Sequence, residues 1–192
     1  PLYTWPSGPK TRCPKFPPGL PEQAPAEAML YLLTGRTGLV GLQLYEVSAY
    51  AKPGHHCQHN LNDWQFGDYL GLGAGAHSKL SFAHRIVRQV RLREPRLYMD
   101  EALRGHSIAQ ETEVSRADLP FEYMLNALRL PQGFALAEFS ERTGLAITAI
   151  QQGLAQAEQK GLIERDFLRV WPTARGYDFL SDLQSLFLAD PV

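Results

Sequence analysis

From Leu119 onward, apolar residues recur at helical spacing in three successive runs, and the last two runs are each followed by a glycine. Phe121, Met124, Leu125 and Leu128 form the first run. Phe134 to Arg142 forms the second, closed by Gly144, and Ile147, Ile150, Leu154 and Ala157 form the third, closed by Gly161. Spacings of three and four residues gather these side chains on one face of a helix, and a glycine just beyond supplies the left-handed residue that ends it. "LIERDFLRVW" then reads as two short strands around a turn at Arg165 to Phe167. Thr173 stands where its hydroxyl can cap a last helix with Phe179, Leu180, Leu183, Leu186 and Phe187 inward. This order is the pattern of a winged-helix domain over residues 119–192.

Such a domain invites a nucleic-acid reading, because its third helix can enter a major groove. The charges argue against it. Residues 119–192 carry six basic and nine acidic side chains, and "AITAIQQGLAQAEQK" has one lysine and no arginine. Phosphate contacts dominate DNA affinity, so a winged-helix nucleic-acid-binding protein is the alternative reading and a structural or docking module the preferred one.

Ahead of this domain the chain is less regular. Eight of its fourteen prolines fall in the first 25 residues, where they remove backbone donors and block helix, so residues 1–25 are expected to form an extended connector. Pro25 to Leu33 reads as a short helix, Leu42 to Ala49 as a strand, Tyr69 to Leu72 as a short buried strand, and Arg85 to Leu92 as a half-buried strand. "RLYMDEALRG" reads as a helix ending at Gly105. Gly71, Gly73 and Gly75 allow close backbone approach, either to a phosphate or to a neighbouring strand in a tight turn. Six arginines between 85 and 104 against Glu94, Asp100 and Glu101 make the one basic region, which suits a solvated strand face better than an anion site.

"HHCQHN", residues 55–60, concentrates three imidazoles and a cysteine. Imidazole and thiolate suit a soft or borderline metal, although adjacent side chains cannot all reach one ion. A polar loop after a strand is the plainer reading, and axial ligation of heme needs only one or two such side chains beside an apolar wall, for which Tyr50, Trp64, Phe66 and Tyr69 are near. Cys13 and Cys57 are the only cysteines and have no CxxC spacing, so they build neither a disulfide framework nor a four-thiolate site. A net charge of −1 gives no general attraction to polyanions, and no run approaches a membrane span. A cytoplasmic setting is the default expectation.

Several linked motifs then resemble one family. Tyr45-Glu46-Val47-Ser48-Ala49-Tyr50, Ala51-Lys52-Pro53-Gly54, His59-Asn60-Leu61-Asn62-Asp63-Trp64 and Gly73-Ala74-Gly75-Ala76-His77 follow the order seen in radical S-adenosylmethionine (radical SAM) proteins of the oxygen-independent coproporphyrinogen III oxidase-like family, heme-chaperone branch. The third segment is similar to that family's HNxxYW motif, with Asp63 in place of tyrosine, and the fourth to its GxGAH turn, with Ser78 where a glycine follows. The resemblance spans about residues 16 to 190 and implies an α+β chain: a proline-rich connector (1–25), the C-terminal remnant of an incomplete TIM-type barrel (26–80), an α/β linker (81–118) and the winged-helix domain (119–192). It implies heme binding at His59 first and Cys57 second, with Asn60 and Trp64, and contact with the cofactor side of the barrel at Gly73, Gly75, Ala76 and His77. Heme or porphyrin, and heme-accepting respiratory proteins, are the implied partners. The family's [4Fe-4S] cluster sits on a CxxxCxxC motif that this sequence lacks, so cleavage of S-adenosylmethionine by this chain alone is not expected, and no catalytic residue is assigned. Kinship with a true coproporphyrinogen III dehydrogenase, the family's oxidoreductase, is the remaining alternative.

Overall fold

The structure, a computed structural model, describes residues 23–47 and 49–189. The expected connector lies outside the described residues up to position 22, as do Cys13 and Ser48. The described residues divide into two compact units, one ending at His56 and the other beginning at Cys57.

In the first unit, α1 (Gln23–Leu39) runs past the expected end at Leu33. Gly35 and Gly38 are tolerated inside it, since an isolated glycine weakens a helix without ending it, and the left-handed turn falls at Gly41 (φ 77°). Thr34 and Thr37 donate their hydroxyls back to Leu30 O and Leu33 O, each at 3.0 Å. The expected single strand from Leu42 instead reverses: β1 (Gln43–Glu46) pairs antiparallel with β2 (Ala49–Ala51), Leu44 opposite Tyr50. A Thr34 Oγ1 to Tyr50 Oη hydrogen bond of 2.8 Å ties the helix to this hairpin.

The second unit opens with α2 (Gln58–Trp64). An antiparallel sheet of β3 (His77–Ser81), β4 (Ile86–Arg91) and β5 (Ile108–Glu113) follows in that spatial order, with α3 (Pro95–Ala102) between β4 and β5. The Glu94 side chain caps α3 by accepting from the amides of Arg96 and Leu97. From there the elements are α4 (Leu119–Ala127), β6 (Phe134–Ala135), α5 (Leu136–Thr143), a 3₁₀ turn at Ile147–Ala149, α6 (Gln151–Gln159), β7 (Ile163–Arg165), β8 (Arg169–Pro172), α7 (Ala174–Asp178) and α8 (Leu180–Ser185). Gly144 (φ 66°) and Gly161 (φ 67°) end α5 and α6 as the sequence predicts. Two details differ. Phe134 and Ala135 leave the expected second helix to pair with Val170 and Arg169, making β8 the centre of a sheet ordered β6-β8-β7. The expected single last helix breaks at Phe179, which is exposed instead of inward.

Among the described residues the strands form three separate antiparallel sheets and no closed barrel. The core of the second unit is continuous. Phe66, Ile86, Leu119, Tyr123, Met124, Phe139, Ile150, Leu154, Ile163, Val170 and Leu183 all belong to one buried cluster. Tyr123 is its hub, meeting Phe66, Phe134 and Phe139 edge to face at 5.2–5.5 Å.

Candidate functional site

The histidine-rich segment is only partly a loop. His55 is exposed, and His56 stacks on Tyr45 with ring centroids 4.6 Å apart. Cys57 then adopts the extended N-cap conformation of α2 (φ −72°, ψ 114°), and its carbonyl accepts from Leu61 N at 3.1 Å. His59 therefore lies in the first turn of a helix, exposed, with Nδ1 at 3.0 Å and Nε2 at 3.9 Å from Cys57 Sγ. A partner on Nδ1 orients an imidazole and decides which nitrogen is presented outward. The two side chains that the family resemblance marks as heme ligands are thus brought together. Helical spacing places Asp63 one turn below His59, and Trp64 one turn below Asn60. Trp64 is half-buried; the Arg129 guanidinium stacks on its ring at 4.0 Å, and its Nε1 is buried with no hydrogen-bond partner among the described residues.

The end of α2 is clamped by side chains that sequence reasoning passed over. Phe66 takes a left-handed conformation (φ 57°), a strained choice for an aromatic residue, and is 2% exposed. Lys79, 3% exposed on β3, holds it there: Nζ donates to Phe66 O at 3.0 Å, to Asp68 Oδ1 at 3.2 Å and to Ser81 Oγ at 3.2 Å, and sits 4.0 Å from the Phe66 ring centroid. Burial pushes the Lys79 ammonium below its ordinary pKa, against the pull of Asp68. Burial pushes the Asp68 carboxyl up, but hydrogen bonds from the Ser81 side chain and amide and from Lys79 outweigh it and leave it below the usual value. Asn62 Nδ2 donates to Asp68 O at 2.9 Å, and Gly67 packs so close to Asn62 that a Cβ there would lie 2.2 Å from its Oδ1. A lysine inside an alternating strand reads as solvent-facing until the strand's partner is known, so the sequence carries no local signal for this clamp.

The glycine turn lies between α2 and β3. Gly73 (φ 107°) and Gly75 (φ 72°) have conformations that side chains disfavour, and a Cβ on Gly71 would collide with His77 O at 2.1 Å, so the close approach is to a neighbouring strand. Its amides are engaged within the fold: Gly73 N donates to Tyr98 Oη at 3.1 Å, Gly75 N to Leu92 O at 2.8 Å and Ala76 N to Gly73 O at 3.2 Å. A phosphate cradle needs such amides free. His77 starts β3 and is exposed, whereas Ser78 is buried and accepts from Gly71 N at 2.9 Å. Among the described residues no group of three or more His, Cys, Asp or Glu side chains is placed to hold a metal ion.

Residues 114–179 match the family model of the HemN C-terminal domain. Heme chaperone HemW of Escherichia coli K12 is 42% identical over 153 residues, which cover 78% of this chain and 39% of the relative. The chain corresponds to the C-terminal part of a HemN/HemW-like protein. Heme chaperone HemW of Haemophilus influenzae is 40% identical over 153 residues, 79% of this chain and 39% of the relative, and that of Bacillus subtilis 28% over 173 residues, 89% and 45%. The chain thus spans about two fifths of the length of the HemW proteins it matches. The fold agrees with the solved structure of coproporphyrinogen III oxidase (HemN) from Escherichia coli, a radical SAM enzyme, at a TM-score of 0.64 with 15% identity, over 88% of this chain and 42% of that one.

Proposed function

We propose that this chain is a heme-handling part of a radical SAM heme chaperone, binding heme at the start of α2 for delivery to heme-accepting proteins in the cytoplasm or at its membrane. The observation that carries the proposal is the 42% identity to a heme chaperone across a stretch of 153 residues. The chemistry at α2 supports it: an exposed imidazole held by a thiol 3.0 Å away is a ligand pair able to take an iron, with His59 first and Cys57 second, and Asn60 and Trp64 as the neighbouring contacts. Gly73, Gly75, Ala76 and His77 are assigned to the cofactor side of a barrel that residues 26–80 would help complete. Since the turn's amides are engaged, contact there would use glycine surfaces and the exposed imidazole.

The division into a barrel remnant (26–80), a linker (81–118) and a winged-helix domain (119–192) belongs to the same proposal. The order helix, strand, helix, helix, hairpin in α4 to β8 supports its last part. The iron–sulfur cluster does not fit this chain, whose two cysteines fall short of the three thiolates of CxxxCxxC, so no redox step is derived through it. No helix among the described residues is long and apolar enough to cross a membrane.

Titration of the chain with hemin tests the assignment. The expected result is a shifted Soret band that His59→Ala weakens by about tenfold or more, as loss of an axial ligand would. A spectrum unchanged by that substitution would remove His59 as the ligand.

A further inference from the structure

Beside the last turn of α2 lies a cavity of about 100 Å³ that the heme-ligand assignment leaves unexplained, lined by Trp64, Tyr123, Gln132, Phe134, Glu138 and Arg169 among others. Its walls hold an excess of hydrogen-bond donors. Trp64 Nε1 is buried with no partner among the described residues. Tyr123 is 1% exposed, locked by three aromatic rings, and lines the same cavity. Burial, and then the nearby Glu138 carboxylate, push the Tyr123 phenol well above its ordinary range, so it stays a donor at any working pH. A buried donor left unpaired is costly and rare, and the Trp64 indole N–H on this small cavity points to an acceptor that comes from outside the fold.

The charges say which acceptor. Arg169 lines the cavity, anchored by a 3.1 Å hydrogen bond from Nη2 to Gln132 O, and the Arg129 guanidinium stacks on the Trp64 ring. Glu138 is the one acidic wall residue, and its Oε2 already accepts from Ala135 N at 3.0 Å. The Arg169 guanidinium, an indole N–H and a phenol beside one engaged carboxylate favour an oxyanion over a cation or a neutral group. The volume, roughly that of three waters at ~30 Å³ each, admits a carboxylate with one or two carbons behind it and excludes a whole ring system.

Position supplies the rest. Trp64 lies five residues after His59, so the cavity is about 7–8 Å farther along the axis of α2 at 1.5 Å per residue. We propose that this cavity seats a carboxylate arm of the tetrapyrrole bound at His59, held by Trp64 Nε1, the Tyr123 hydroxyl and the Arg169 guanidinium. The identity of the ligand rests on the heme-binding reading above; the carboxylate preference rests on the cavity itself.

The experiment has two arms on the full chain. In the first, hemin and hemin dimethyl ester are titrated against wild type, Arg169→Gln, Tyr123→Phe and His59→Ala. Arg169→Gln and Tyr123→Phe should each weaken hemin by about three- to tenfold and leave the ester within about twofold, as loss of one charge-assisted or buried hydrogen bond requires. His59→Ala should weaken both porphyrins. Equal affinity for hemin and its ester in wild type overturns the carboxylate seat and leaves the heme reading standing. In the second arm, sodium propionate is added to ¹⁵N-labelled protein, and the Trp64 indole resonance should shift in wild type but not in Arg169→Gln. If neither porphyrin binds but propionate still moves that resonance, the heme reading falls and the carboxylate site survives; if propionate leaves it unmoved, the cavity holds water and the proposal is overturned.

Discussion

Lys79 shows how far a residue's role can depart from its type. Its ammonium is buried on three acceptors, one of them the carbonyl of a residue held at positive φ, so the energy of the Lys79–Asp68–Ser81 cluster is coupled to the geometry at the end of α2. The two charges respond to pH in different windows. Asp68 has a folded pKa below its unfolded value of 3.8, so its contribution is fully present above that value and is lost as pH falls through the folded one. Lys79 has a folded pKa below its unfolded 10.5, so between the two the unfolded chain holds more protons and stability rises with pH. Asp68→Asn should therefore flatten the acid limb of the stability curve. Urea midpoints compared at pH 7 and pH 3 should show wild type losing more than the variant; an equal loss would mean that the half-exposed Asp68 is too well screened to matter.

Among the elements, glycine punctuation was legible because it acts locally, while strand pairing was not because it depends on residues far along the chain. Gly144 and Gly161 ended their helices where the sequence placed them, and Thr173 caps α7 by accepting from Gly176 N at 3.0 Å. Phe134 and Ala135 looked helical because Phe134 fits the apolar spacing of α5; only the presence of Val170 opposite makes them a strand. His59 looked like a loop residue because "HHCQHN" has no apolar period, although backbone hydrogen bonds alone sustain so short a helix as α2. Gly133 and Gly161 separate the two ways a glycine can matter. Both have positive φ (62° and 67°), but a Cβ on Gly133 would lie 1.8 Å from Val170 O in the β6–β8 pair, whereas one on Gly161 meets nothing within 4 Å. Gly161→Ala should cost about 1–2 kcal/mol, the left-handed penalty alone. Gly133→Ala should cost distinctly more, about 3 kcal/mol or beyond, because the sheet must also shift. Chemical denaturation of the two variants measures the difference; equal midpoints would show that the β6–β8 pair yields freely.

For the whole molecule, the decisive property is where its charge lies. The motifs that carried the family resemblance are short and local, so they could be read without coordinates; the Tyr123 hub, the Lys79 clamp and the donor-lined cavity join residues separated by tens of positions and could not. The DNA-binding alternative is decided by surface charge, which the sequence tallied and the structure now places. Arg165, in the β7–β8 hairpin, bonds to Glu158 on α6 at 2.7–3.0 Å, so one of the few cations beside the would-be reading helix is already neutralised. Asp166 at the hairpin turn accepts from Leu168 N and Arg169 N, both at 2.7 Å, and these bonds hold its carboxyl below the usual range and therefore charged at neutral pH. Glu164 and Asp166 in the hairpin add negative charge beside α6, against Lys160 and Arg169 as its remaining cations. Affinity for mixed-sequence duplex should accordingly be weaker than the roughly 10⁻⁴–10⁻⁶ M of ordinary non-specific binders, with little dependence on salt. A gel shift at about 10 μM chain and low salt should show no complex. A complex that dissolves steeply as salt is raised would instead mean that the arginines of β4 and α3, outside the domain, supply the phosphate contacts, and would return the nucleic-acid reading to first place.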